Sequence, residues 1–154
     1  MLRDELAGAV RRLSGDASLA SAPTDGSNLS PLQWAKQAQL DVSSEILETF
    51  GEVSLATAWA MVAGALANSD ADVAVAITGI AGPGGGSEKK PVGQVVFARA
   101  LRGQDPDDYF TQRVRFESTD RRAIRHHATL FALELLQPGK DSLRPSEDIT
   151  LPAP

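Results

Sequence analysis

The sequence predicts a single α/β domain in which helices pack against a mixed sheet. Three observations lead there. The chain has 154 residues, 42% hydrophobic and 23% charged, which is the size and mix of one ordinary globular domain. Short apolar runs rich in β-branched residues stand at Val73 to Ile77 and Val92 to Ala98, and Phe110 to Phe116 alternates apolar with polar. Around these runs, apolar residues recur every three or four positions, as in Leu55, Ala58, Val62 and Leu66.

Composition excludes several classes. The net charge is −5, whereas a general nucleic-acid-binding surface wants a basic excess. There is no cysteine, so no disulfide framework, thiol nucleophile or cysteine metal site. No apolar run approaches membrane-spanning length. The opening MLRDELAGAVRR is charged throughout and lacks a signal-peptide core. A cytoplasmic protein that contacts neither nucleic acid nor membrane is expected.

Met1 to Leu13 reads as an amphipathic helix, with Leu2, Leu6, Val10 and Leu13 on one face and Gly15 placed to end it. Gly15 to Pro31 reads as loop, with at most a short strand at Ser18 to Ala22. Pro31 suits the first position of a helix running to Leu40, where Trp34 is either a core anchor or a cover. Ser43 or Ser44 caps a short helix to Phe50, and Gly51 stops it. Ser54 caps the next helix, whose apolar face carries Leu55, Ala58, Trp59, Val62 and Leu66.

Leu101 to Tyr109 reads as a solvated turn with Asp105, Asp107 and Asp108, which lack the spacing of a calcium loop. Phe110 to Phe116 is then expected to pair with Val92 to Ala98 as a hairpin. Ser118 to Leu136 is the last helix, starting at Thr119 or Asp120, with a buried stripe of Ile124, Ala128, Phe131 and Leu135. Residues 138–154 carry Pro145, Pro152 and Pro154 without periodicity and are expected to form a disordered tail.

The chemistry concentrates between the first two strands, in DVAVAITGIAGPGGGSEKKPVGQVVFA. The first strand ends at Thr78 and Gly79, and Gly82, Gly84, Gly85 and Gly86 follow. Glycine admits a ligand close to the backbone, and free N–H groups in such a loop cradle anions. The residues leave two readings open, an anion loop and a plain glycine-rich turn. Neither a Walker loop nor G-x-G-x-x-G fits in any register. Ser87 to Lys90 matches S-x-x-K, but Pro91 follows where that motif wants a helix, so the match is read as coincidence. Adjacent His126 and His127 point about 100° apart on a helix and do not share a metal. No metal site is expected.

The wording ITGIAGPGGGSEKKPVG closely resembles the signature of the CinA C-terminal domain, the family of nicotinamide-nucleotide amidases. The resemblance runs from Lys36 to about Leu136. ILETFGEVSLATAWAMVAGAL is similar to the family's L-x-x-x-G-A-V-S pattern, and DRRAIRHHATLFALELL to its G-D-R-x-x-V-R. The resemblance implies a three-layer α/β/α domain over residues 1–137 with a mixed sheet. It also implies a shortened N-terminal strand and helix, because residues 1–35 diverge. There the family carries A-E-S-C-T-G-G, whose serine is the nucleophile, and later Y-S-N-E-A-K. Here Ala20 to Gly26 stands nearest the first motif, with Ala22 at the nucleophile's place. Pro31 to Lys36 stands in the second, where Ala35 and Lys36 agree.

The family reaction is hydrolysis of the amide of nicotinamide mononucleotide, which needs a nucleophile, a base, oxyanion donors and a phosphate clamp. Lys36 aligns with the family lysine that helps activate the serine. Ser21, Thr24, Ser27 and Ser30 are the candidate hydroxyls close in sequence to replace the lost serine. For ligand binding the expected residues are Thr78, Gly79, Gly82, Gly85, Gly86 and Ser87. Arg121 and Arg125, one helical turn apart, suit a phosphate; an exposed basic face is the alternative. Three functions follow. The first is a degenerate member with a nucleotide-sized pocket and little or no amidase activity. The second is a working amidase with a substitute nucleophile. The third is a non-catalytic structural or oligomeric module. A pyridine nucleotide is the expected ligand, no cofactor is expected, and trimming of the sheet suggests a homo-oligomer.

Overall fold

The structure is a computed structural model that describes residues 30–139 and 148–152. The helix expected at Met1 to Leu13, the strand expected at Ser18 to Ala22 and the Ala22 position itself lie outside the described residues.

Each helix among the described residues starts on a side-chain cap. Ser30 opens α1 (Pro31–Leu40) with a reciprocal capping box. Its hydroxyl accepts from the Gln33 N–H at 3.2 Å, and Gln33 Oε1 accepts from the Ser30 N–H at 2.8 Å. Ser43 caps α2 (Ser44–Phe50) and Ser54 caps α3 (Leu55–Ala67). The strands are β1 (Val73–Gly79), β2 (Gln94–Leu101) and β3 (Phe110–Phe116). Asp120 caps α4 (Arg121–Leu135), and a short β4 (Ile149–Leu151) follows.

Among the described residues the four strands lie in the order β1-β2-β3-β4. β1, β2 and β3 are antiparallel neighbours, and β4 runs parallel to β3. The sheet is therefore mixed, as expected. Strand alternation sends two different residue sets to its two faces. Ala74, Ala76, Val96, Ala98 and Ala100 pack with Ala58, Met61, Val62 and Leu66 of α3. Val75, Val95, Phe97 and Val114 pack with Ile124, Ala128, Ala132 and Leu135 of α4. The small residues on the first face let α3 lie close to the sheet. The aromatic residues on the second fill the wider gap under α4. The result is three layers, with α4 on one side and α1 to α3 on the other.

One boundary agrees with the sequence expectation and two differ. β1 ends at Gly79 as expected, since Thr78 and Gly79 still pair with Val96 and Val95. β2 begins at Gln94, not Val92, because Gly93 turns the chain at φ +92°. The tail expected to be disordered contributes β4. Ile149 and Leu151 pack onto the α4-side core, Glu117 N donates to Leu151 O at 3.0 Å, and Asp148 pairs with Arg113 at 2.6 Å. Three residues are too few to show a period, so the strand had no signature in the sequence.

Gly64 shows how α1 is seated. A Cβ there would lie 1.8 Å from Leu40 O, at the last residue of α1. Gly64→Ala is expected to destabilise the protein by about 1–3 kcal/mol, since the methyl meets backbone that moves only with the helix. Urea denaturation checks it; an unchanged midpoint would mean that α1 is not held against α3.

Candidate functional site

α1, the α2–α3 connection and the end of β1 meet at Lys36. Its ammonium donates to Thr78 Oγ1 at 3.3 Å and to the Glu52 carbonyl at 3.3 Å. The Glu52 carboxylate lies 3.7 Å away through Oε2. Thr78 donates its own hydroxyl proton to the Glu52 carbonyl at 2.7 Å. Ser30 donates to the other Glu52 carboxylate oxygen at 2.8 Å. The Lys36 side chain is only 13% exposed and that of Glu52 27%. Burial lowers the Lys36 pKa below the ordinary lysine value, and the nearby Glu52 carboxylate opposes that shift.

Thr78 and Lys36 were both expected at the site, and the fold brings them into contact. Thr78 is buried while Gly79 beside it is exposed. Gly79 cannot carry a side chain without crowding β2, because a Cβ there would stand 2.9 Å from Gln94 O.

The glycine loop is pinned at both ends. Arg121 donates to Gly82 O at 3.0 Å, joining the loop to the start of α4. Lys90 donates to Phe50 O at 3.0 Å, joining the loop to the end of α2. Gly82 has φ +75° and precedes a cis peptide to Pro83. A Cβ on Gly86 would lie 2.9 Å from Val92 N, while Gly85 lies open with φ +83°. Ser87 closes a turn with Lys90: its N–H donates to Lys90 O at 2.9 Å, and its hydroxyl accepts from Lys90 N at 3.1 Å. That turn is not a helix start, which agrees with reading its S-x-x-K as coincidence.

Arg121 and Arg125 are exposed and line a shallow depression with Asp120, Arg122, His126 and Thr129. They stand on the α4 layer, across the sheet from Lys36. Arg121 connects the two halves of the candidate site through its bond to the Gly82 carbonyl.

The residue that sequence reasoning missed is Glu52. It lies in a connection without periodicity, so nothing local marked it. The available signal was the departure from the pattern the segment resembles, Gly51-Glu52-Val53-Ser54 against G-A-V-S. Among the described residues no group of three His, Asp or Glu side chains is placed to hold a metal ion. Among them also, no helix is long and apolar enough to cross a membrane.

A three-layer α/β/α domain with a glycine loop at the end of its first strand and a buried lysine beside it defines the class of fold. The CinA C-terminal domain family matches residues 7–139, and this chain belongs to that family. A CinA-like protein of Mycolicibacterium gilvum is 43% identical over 122 residues, covering 79% of this chain and 28% of that protein. A putative competence-damage inducible protein of Symbiobacterium thermophilum is 43% identical over 108 residues, covering 67% of this chain and 25% of that protein. The chain thus spans about a quarter of the length of these relatives. Among solved structures, the competence/damage inducible protein CihA from Agrobacterium tumefaciens superposes with a TM-score of 0.62 at 46% identity, covering 66% of this chain and 60% of that one. The competence damage-inducible protein A from Klebsiella pneumoniae superposes with a TM-score of 0.60 at 38% identity, covering 67% and 61%.

Proposed function

We propose that this chain is a degenerate member of its family, one that binds a pyridine nucleotide at the end of β1 and hydrolyses its amide little or not at all. The observation that carries this is the bonding around Lys36. An activating lysine must receive the proton of a nucleophilic hydroxyl. Among the described residues the two hydroxyls at this cluster donate elsewhere, Thr78 to the Glu52 carbonyl and Ser30 to the Glu52 carboxylate. Ser30 is committed further as the cap of α1. The family's serine position reads Ala22. Loss of a nucleophile costs orders of magnitude in turnover.

The binding half of the proposal draws on Thr78, Gly79, Gly82, Gly85, Gly86 and Ser87, with Arg121 and Arg125 facing a phosphate. Backbone N–H groups in a loop and guanidinium forks are both suited to anions. Arg121 does two things in this scheme. It holds the Gly82 carbonyl and leaves further N–H groups for a ligand.

Ammonia release from nicotinamide mononucleotide tests the catalytic half, with Lys36→Ala beside it. The expected result is no release above the Lys36→Ala background, together with a rise in Tm when the nucleotide is added. Release that disappears in Lys36→Ala would overturn the proposal. It would favour a working amidase with a substitute nucleophile, for which the 3.3 Å approach of Thr78 Oγ1 to Lys36 is the supporting geometry. Thr78→Val would then abolish turnover.

A further inference from the structure

Glu52 makes more contacts in the Lys36 cluster than its place in a connection requires. Its carbonyl accepts from Lys36 and from Thr78, and its carboxylate stands between Lys36 and Ser30. A glutamate needed only to end α2 or start α3 would point outward; here Ser54, not Glu52, caps α3. We propose that Glu52 is a positioning residue that holds Lys36 as an ammonium, so that the amine at the end of β1 serves as a fixed cation and not as a base. The proposal rests on the non-catalytic function argued above and gives it a physical cause.

The geometry has two parts. Ser30 fixes one carboxylate oxygen at 2.8 Å, which leaves the other directed at Lys36 Nζ at 3.7 Å. The Glu52 carbonyl and Thr78 Oγ1 accept two ammonium hydrogens at 3.3 Å each. A carboxylate 3.7 Å from the nitrogen attracts the ammonium and not the neutral amine, so it favours the charged form. Glu52 thus supplies one of the two hydrogen-bond acceptors and the counter-charge.

Burial works in the opposite direction, since it favours the neutral amine. The charged groups at this junction are few. Glu52 faces Lys36 from the α2–α3 connection, and β1 offers the uncharged Thr78. The loop after β1 brings Lys90, whose ammonium donates to Phe50 O at 3.0 Å. With Glu52 neutralised, burial acts unopposed and the lysine loses its proton more readily. In a chain with an uncharged residue at this position the same lysine would be closer to a base.

The test is pH-dependent labelling of Lys36 in the full chain with an amine-reactive acylating reagent. The Lys36 peptide is followed by mass spectrometry in wild type, Glu52→Gln and Glu52→Asp. Glu52→Gln is expected to move the labelling midpoint down by about one pH unit or more, which is about a tenfold gain in reactive amine at neutral pH. Glu52→Asp keeps the charge on a shorter stem and is expected to fall between the two. It also carries the test if the Gln variant does not fold. A wild-type midpoint in both variants would overturn the proposal. Labelling reads the lysine itself, so it is independent of ammonia release: turnover by the wild type would sink the functional proposal while the midpoints still judge the role of Glu52.

Discussion

Phe97→Ala is expected to lower stability by about 3–5 kcal/mol, among the largest effects of a single core truncation. Phe97 is 0% exposed and sits in β2, the strand with β1 on one side and β3 on the other. It pairs across the sheet with Ile77 and with Gln112. Its ring meets Phe131 of α4 with centroids 4.6 Å apart. Truncation would therefore empty space between the sheet and the last helix, where backbone on both sides limits collapse. Phe97→Leu keeps most of the volume and should cost much less. Urea denaturation of both variants checks this. A loss under about 1 kcal/mol for Phe97→Ala would show that α4 settles into the gap, contrary to a close-packed second core.

Gly93→Ala is the second large effect, and it reaches the candidate site. Gly93 has φ +92°, where an L residue is strained at a cost of about 1–3 kcal/mol. A Cβ there would also stand 2.2 Å from Phe116 O, an overlap that typically costs about another 1–3 kcal/mol. Both ends of this residue are committed. Its N–H donates to Ile80 O at 2.8 Å, and its carbonyl accepts from Phe116 N at 2.9 Å. Relief of the overlap must push the loop away from β3, and with it the turn that carries Ser87 and Lys90. Destabilisation and a loss of the Tm rise with nicotinamide mononucleotide are therefore expected together. Gly84→Ala is the control, because a Cβ there meets nothing within 4 Å and φ is not positive. It should stay within about 0.5 kcal/mol of wild type. Equal behaviour of the two variants would mean that the Gly93 turn does not hold the loop in place.

Much of the fold was legible because local chemistry set it. Ser54 caps α3 as expected, and of the alternatives offered Ser43 caps α2 and Asp120 caps α4. The alternation in Phe110 to Phe116 foretold its pairing with β2. The unread parts depended on distant partners. β4 exists because Ile149 and Leu151 find the edge of β3 and the α4-side core, a contact no window of the sequence contains. The site divided the same way. The glycine loop and Lys36 were visible as residues, Lys36 through family resemblance. Glu52 was not, because its role comes from neighbours contributed by α1 and β1.

The sequence by itself determined α1 to α4, β1 to β3, the order in which they occur and the family, since caps, periods and a glycine-rich motif are written in adjacent residues. Only the tertiary structure decided that Lys36 meets Thr78, 42 positions along the chain, and shares Glu52 with Ser30. The physical reason is that a lysine's charge state depends on what surrounds its nitrogen. Burial and a carboxylate act on it in opposite directions, and chain topology sets the distance of each.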